Sequence, residues 1–110
     1  MVIVRDNTLM ISKGETLQTL FCLDRSGYEL TGEELIKFNV KKTPNDDTLI
    51  MQLTCGIDVL NNVVSVYATK EEISVLDIGI YYYDMLMTIR NARYTLMYPA
   101  QLIVREVCYE

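Results

Sequence analysis

The sequence contains no histidine and no tryptophan among its 110 residues. Histidine is the commonest general base and the commonest metal ligand, so its absence weighs against acid–base catalysis and against a metal site. The sequence also lacks a Ser-x-x-Lys motif, a glycine-rich phosphate loop and the spacing of an EF-hand. We therefore expect no enzyme activity, no metal and no cofactor, and we assign no catalytic or cofactor-binding residue.

Cysteine is scarce and odd in number, with Cys22, Cys55 and Cys108 far apart in the chain. No C-x-x-C pair is present, which weighs against a zinc or redox site. An odd count also weighs against a complete disulfide framework, so reduced thiols are expected. Cys22 and Cys55 are predicted to be small apolar side chains within strands.

Basic residues are few, since 10 Lys and Arg stand against 15 Asp and Glu, giving a net charge of −5. Binding to duplex nucleic acid requires clustered positive charge, and anionic membranes attract positive charge as well. There is no run of 18 apolar residues, and no basic stretch followed by a long apolar one opens the sequence. We expect no nucleic-acid partner, no membrane association and no signal peptide.

The acidic residues include three adjacent pairs. These are Glu33-Glu34, Asp46-Asp47 and Glu71-Glu72. A glycosidase needs two carboxyl groups that face each other across a sugar, one of them away from water. All three pairs lie in turn-like segments or at a helix start, so they are predicted to be solvated.

Alternation with a period of two is the dominant pattern in what the sequence does contain. Residues 35–42 show it clearly, with Ile36, Phe38 and Val40 on one face and polar side chains on the other. Strands are predicted at 16–24, 35–42, 48–55, 62–68 and 79–89 and in the two segments after the turn at 90–93, before and after Pro99. The one helical segment is 69–77, where Thr69 and Glu72 have the spacing of a capping box.

This pattern predicts an all-β fold. With half of its residues apolar, a chain of this length has enough material for one core. We expect residues 1–110 to form a single domain, an Ig-like antiparallel β-sandwich of seven to eight strands with one short helical crossing near 70–76. Whether residues 1–7 form a short strand or an arm exchanged with a neighbouring copy stays open.

Three consecutive tyrosines lie in the strand GIYYYDMLMTI at 79–89. Alternation places Tyr81 and Tyr83 on one face and Tyr82 and Asp84 on the other. We expect Tyr81 and Tyr83 in the core, in the manner of the corner tyrosine of Greek-key sandwiches. For Tyr82, a surface filler and a protein contact both remain open.

A second interpretation of the tyrosines is an exposed aromatic platform that binds sugar or protein. Its members would be Tyr82, Tyr67, Tyr94 and Tyr98. Stacking on a sugar would require two or three of these rings to be exposed and coplanar. The alternative function is therefore a carbohydrate-binding or adhesion module.

Three stretches of the sequence have a recognisable order. They contain Gly14, Glu15 and Thr16; then Asp24, Gly27, Leu30, Thr31 and Gly32; then Gly79, Tyr81, Tyr82, Tyr83 and Asp84. Over about residues 12–107 this order resembles the small β-sandwich at the amino terminus of phage baseplate upper proteins and related prophage tail proteins. The chain departs from the family pattern at 90–93, where a D-G turn is replaced by RNAR. We expect no receptor-binding or helical extension of the kind that a full baseplate protein has.

The resemblance implies a structural role in a virion tail or baseplate, after synthesis in the bacterial cytoplasm. Its partners would be other tail or baseplate proteins and possibly further copies of this chain. Edge strands could dock by β-addition. The candidate contact residues are Tyr82, Leu86, Tyr67 and Tyr98.

Overall fold

The computed structural model describes residues 3–5, 8–23 and 28–106, with only the backbone described at 3–5 and 97–99. These residues form nine strands and one short helix. In chain order they are β1 Ile3–Arg5, β2 Thr8–Ser12, β3 Leu17–Cys22, β4 Leu35–Lys41, β5 Met51–Thr54, β6 Gly56–Asp58, β7 Val63–Ala68, α1 Lys70–Ile73, β8 Gly79–Ile89 and β9 Ala92–Arg105. No helix in this part of the chain is long and apolar enough to span a membrane.

The strands form two sheets that pack against each other. One has six strands in the order β1-β2-β9-β8-β4-β5, and the other has three in the order β3-β7-β6. The predicted all-β sandwich with one short helix is confirmed. The structure adds β2, which the sequence does not predict and which pairs in parallel with β9, and β6, which is too short for alternation to reveal. Residues 3–5 form the short strand β1, one of the two possibilities left open for residues 1–7. The described residues contain nine strands where seven to eight were predicted.

The core consists of the alternate side chains that both sheets turn inward. Phe21 from the three-stranded sheet lies 6.3 Å from Tyr83 of the six-stranded sheet, measured between ring centroids. Tyr83 also stacks on Phe38 at 4.8 Å. Tyr81 is buried as well, and its hydroxyl accepts a hydrogen bond of 2.9 Å from the backbone N–H of Asp77. The core position predicted for Tyr81 and Tyr83 is confirmed, and Tyr81 makes the backbone hydrogen bond of a corner tyrosine.

Strands β8 and β9 form the longest hairpin of the described structure. Their two-residue turn is Arg90-Asn91, and both residues have positive φ (49° and 68°), as a type I′ turn requires. Strand β9 runs unbroken through Pro99. Tyr83 of β8 pairs with Ala100 and Met85 pairs with Met97, so three residue steps of β9 lie opposite two of β8, which is a β-bulge. The prediction of two separate segments, before and after Pro99, is wrong, because β9 accommodates the proline within a bulge.

The short helix α1 has the predicted capping box. The N–H of Glu72 donates to Thr69 Oγ1 at 3.1 Å, and the N–H of Thr69 donates to Glu72 Oε1 at 3.0 Å. Ile73 on its inner face is fully buried. The helix is shorter than the predicted segment because its C-cap follows directly at Ser74.

The cysteines separate into two environments. Cys55 is buried as predicted, and burial raises the pKa of its thiol to about 11. Cys55 lies between β5 and β6, not within a strand. Cys22 lies in β3 as predicted, but it does not fill the core, because its side chain follows the inward-facing Phe21 and is exposed. Cys108 lies outside the described residues.

Candidate protein-contact surface

The structure separates the predicted contact residues. Tyr82 and Leu86 lie on the outer face of the six-stranded sheet, where both are half-buried. Tyr67 is 55% exposed on the outer face of the three-stranded sheet, on the opposite side of the sandwich. Tyr94 is exposed and lies opposite the buried Met87, on the side of β9 that faces the core. The side chain of Tyr98 lies outside the described residues.

Polar side chains form a hydrogen-bonded network in the middle of the same outer face, and two of them, Asn39 and Asp84, are buried. Asn39 Nδ2 donates to Asp84 Oδ1 at 3.1 Å, and Gln52 Nε2 donates to Asn39 Oδ1 at 2.8 Å. Lys41 Nζ lies 3.0 Å from Asp84 Oδ2. The alternation in 35–42 predicts a solvated outer face for this strand, which is wrong for Asn39, and Asp84 on the same face is buried as well. These side chains come from β4, β5 and β8 and shield one another from water. Their buried polar atoms have hydrogen-bond partners within the network.

Beside this network the outer face forms a depression of about 270 Å³, which we call the outer-face depression. It is lined by Leu35, Lys37, Asn39, Gln52, Leu86, Thr88 and Arg93. The lining contains two apolar side chains, Leu35 and Leu86, and two cations, Lys37 and Arg93. It contains no carboxylate, although the chain as a whole is acidic.

The most exposed large apolar side chain of the described residues lies elsewhere, in the turn between β6 and β7. Leu60 is 93% exposed and its neighbour Val59 is 47% exposed. We call these two residues the hairpin tip. The tip was not predicted from the sequence. The available signal is an apolar pair placed directly before Asn61-Asn62, in a position where turns are usually polar.

Side-chain hydrogen bonds fix the backbone around the hairpin tip. Asp58 Oδ1 accepts from the N–H of Asn61 at 3.1 Å, and its Oδ2 accepts from Asn61 Nδ2 at 2.8 Å. These bonds lower the pKa of the Asp58 carboxyl. Asn62 has a φ of 57°, a conformation that asparagine adopts more readily than most other residues.

Asn62 also ties the hairpin to the loop at 28–34. Its Oδ1 accepts from the N–H of Leu30 at 2.8 Å, and its Nδ2 donates to the carbonyl oxygen of Tyr28 at 2.7 Å. Its own carbonyl oxygen accepts from the N–H of Leu23 at 3.0 Å. One asparagine therefore joins the β6–β7 turn to a loop that lies more than 30 residues earlier in the chain.

The loop at 28–34 is in turn organised around the carboxylate of Glu34. This carboxylate accepts from the Tyr28 hydroxyl at 2.6 Å, from the N–H of Thr31 at 2.9 Å and from the N–H of Gly32 at 2.9 Å. Burial alone would raise its pKa, but these hydrogen bonds lower the pKa to about 2. The prediction that Glu34 is solvated is wrong, because the loop folds around the carboxylate and leaves it 8% exposed.

Acidic side chains flank the hairpin tip. Glu29 lines a shallow surface hollow with a volume of about 420 Å³, together with Leu30, Val59, Leu60 and Asn62. Asp58 lies at the other side of the turn. The tip is thus a rigid apolar projection with negative charge beside it, an arrangement suited to contact with another protein.

Comparisons of the chain with protein-family models, with curated proteins and with solved structures found no match.

Proposed function

We propose that this chain is a structural component of a phage or prophage tail or baseplate that acts through protein–protein contacts. The observation that carries the proposal is the hairpin tip, where Leu60 is 93% exposed on a turn held by side-chain hydrogen bonds. Removing a leucine side chain from water contributes about 1.5–3 kcal/mol. A turn that is already fixed loses little further conformational entropy on binding, so more of this contribution remains as affinity.

The assignment to a phage tail or baseplate is based on the resemblance to baseplate upper proteins. Two residues that carry the resemblance, Thr31 and Gly32, donate the backbone hydrogen bonds that hold Glu34. They therefore help to form the loop to which Asn62 ties the hairpin. A structural reason thus exists for these residues to recur in a family of assembly modules.

The carbohydrate-binding alternative has less support from the tyrosines. Tyr82 and Tyr67 lie on opposite outer faces, and Tyr94 lies on a third surface, beside the core. Rings that point in different directions do not form one stacking platform. We therefore retain protein contact as the single proposed function.

The test is to look for the chain in phage particles from the strain that encodes it. After prophage induction, particles are purified by density gradient and analysed by quantitative mass spectrometry. We expect peptides of this chain at a constant ratio to the tail proteins. If the chain is expressed but does not co-purify with particles, the proposal is wrong.

A variant pair locates the contact. In a strain without the wild-type gene, Leu60→Asp should reduce incorporation into particles at least tenfold, since it removes the apolar contact and adds a charge. Val75→Asp provides the matched control, because Val75 is 63% exposed in a different part of the fold. Equal incorporation of both variants would contradict a role for the hairpin tip.

A further inference from the structure

We infer that the hairpin tip of one copy docks into the outer-face depression of a second copy, and that the contact is reciprocal, giving a two-fold symmetric dimer. The inference rests on the proposed function, because it assigns a partner to the same hairpin tip. It differs from that proposal in naming the partner as this chain itself.

The first argument is the match of apolar groups and size. The hairpin tip presents the exposed side chains of Leu60 and Val59. The depression has Leu35 and Leu86 in its lining and a volume of about 270 Å³. A cavity of about 150 Å³ holds a benzene molecule, so the depression has room for a leucine side chain and part of its neighbour.

The second argument is charge. Glu29 and Asp58 lie beside the hairpin tip, whereas Lys37 and Arg93 line the depression. Two copies with a net charge of −5 repel each other at long range. Opposite charges at the two contact surfaces offset this repulsion locally and fix the orientation of the partners.

The third argument is the position of the two surfaces on the molecule. Strand β4 begins at Leu35, directly after the loop at 28–34, and Asn62 ties that loop to the hairpin. At the same end, Arg90 Nε lies 3.1 Å from Glu33 Oε2. The tip and the depression therefore lie at one end of the sandwich, an arrangement that allows two copies to exchange tips around a two-fold axis.

The hairpin tip does not fill the depression of its own chain. Its hydrogen bonds to the loop at 28–34 hold it in a position where Leu60 is 93% exposed. A second copy is therefore the occupant that these observations favour.

Charge reversal and mixing test the inference. Glu29→Lys and Arg93→Glu change two exposed side chains, one beside the tip and one in the depression. Each variant is examined by sedimentation velocity from about 10 to about 500 µM, the range in which a modest interface associates. Asp47→Lys is the net-charge control for Glu29→Lys, because Asp47 is exposed in the β4–β5 loop, at the other end of β4. Circular dichroism confirms that each variant is folded.

The wild-type protein and Asp47→Lys should form dimers, and raising the salt concentration should weaken them. Each reversal alone should weaken dimerisation at least tenfold, since it places like charges together. An equimolar mixture of the two variants should recover dimers, because the introduced lysine then meets the introduced glutamate while the second contact keeps its native pair. Leu60→Ala should weaken dimerisation roughly thirtyfold.

A wild-type protein that is monomeric over this range, or a mixture that does not recover dimers, would overturn the inference. Open-ended oligomers would overturn the two-fold arrangement. These results are independent of the particle experiment: a monomer that is present in particles keeps the proposed function, and a dimer that is absent from particles keeps the self-contact.

Discussion

At the scale of single residues, Glu34 shows how hydrogen bonds stabilise a buried carboxylate. The Tyr28 hydroxyl and the backbone N–H groups of Thr31 and Gly32 all donate to it. In return, the hydrogen bond to the carboxylate raises the pKa of Tyr28 to about 12. Donors that converge on a charged acceptor form stronger bonds than donors to a neutral one. The loop that supports the hairpin tip therefore depends on the ionised form of this side chain.

Glu34→Gln should destabilise the protein by about 1–3 kcal/mol at pH 7, because the amide keeps the shape but not the charge and cannot accept at both ends. The folded-state pKa of Glu34, about 2, lies below its ordinary value of 4.5. The stabilisation is therefore complete above pH 4.5 and is lost as the pH falls towards 2. Urea denaturation at pH 7 and pH 3 should show the difference between wild type and variant shrinking at the lower pH.

Glu71→Gln is the control for this experiment, since Glu71 is exposed on α1. It should change the free energy of unfolding by less than about 0.5 kcal/mol at pH 7. A difference between wild type and Glu34→Gln that is equal at both pH values would contradict the role of the ionised carboxylate.

At the scale of elements, local patterns predicted most of the strands and missed β2 and β6. Alternation over eleven residues located β8 at 79–89, and the T-x-x-E spacing located the start of α1 at Thr69. The predicted strand at 48–55 is shorter, since β5 begins at Met51 and Leu49 is exposed. Strand β6 has only three residues, too few to show an alternating pattern. It is a strand because it pairs with β7, which the local sequence does not reveal.

The capping box of α1 gives a prediction for an element of four residues. Thr69→Ala removes the side chain that accepts from the N–H of Glu72, and it should destabilise the protein by about 1 kcal/mol. Such a short helix has almost no stability of its own, so the loss should appear in global unfolding by urea.

Thr69→Ser keeps the hydroxyl and is the matched control. It should stay within about 0.5 kcal/mol of wild type. If Thr69→Ala were as stable as Thr69→Ser, the cap would have no role in positioning Ile73 against the core.

At the scale of the whole molecule, the candidate site combines features that a sequence reveals and features that it conceals. Alternation correctly placed Tyr82 and Leu86 on an outer face. It could not place the hairpin tip beside the loop at 28–34, because Asn62 bonds to Leu30 and Tyr28, which lie 32 and 34 positions earlier in the chain. Nor could it show that the cations of β4 and β9 line one depression, since that depends on sheet order.

The shared core predicts that both sheets unfold together. Phe21 and Tyr83 come from different sheets and contact each other inside the sandwich. Unfolding followed by far-ultraviolet circular dichroism and by tyrosine fluorescence should therefore give coincident transitions. Phe21→Ala should lower the free energy of unfolding by about 3 kcal/mol and shift both transitions equally. Leu20→Ala, at a neighbouring side chain that is 66% exposed, should change it by less than about 0.5 kcal/mol. Two separate transitions, or a shift in only one signal, would show that the two sheets do not form one cooperative unit.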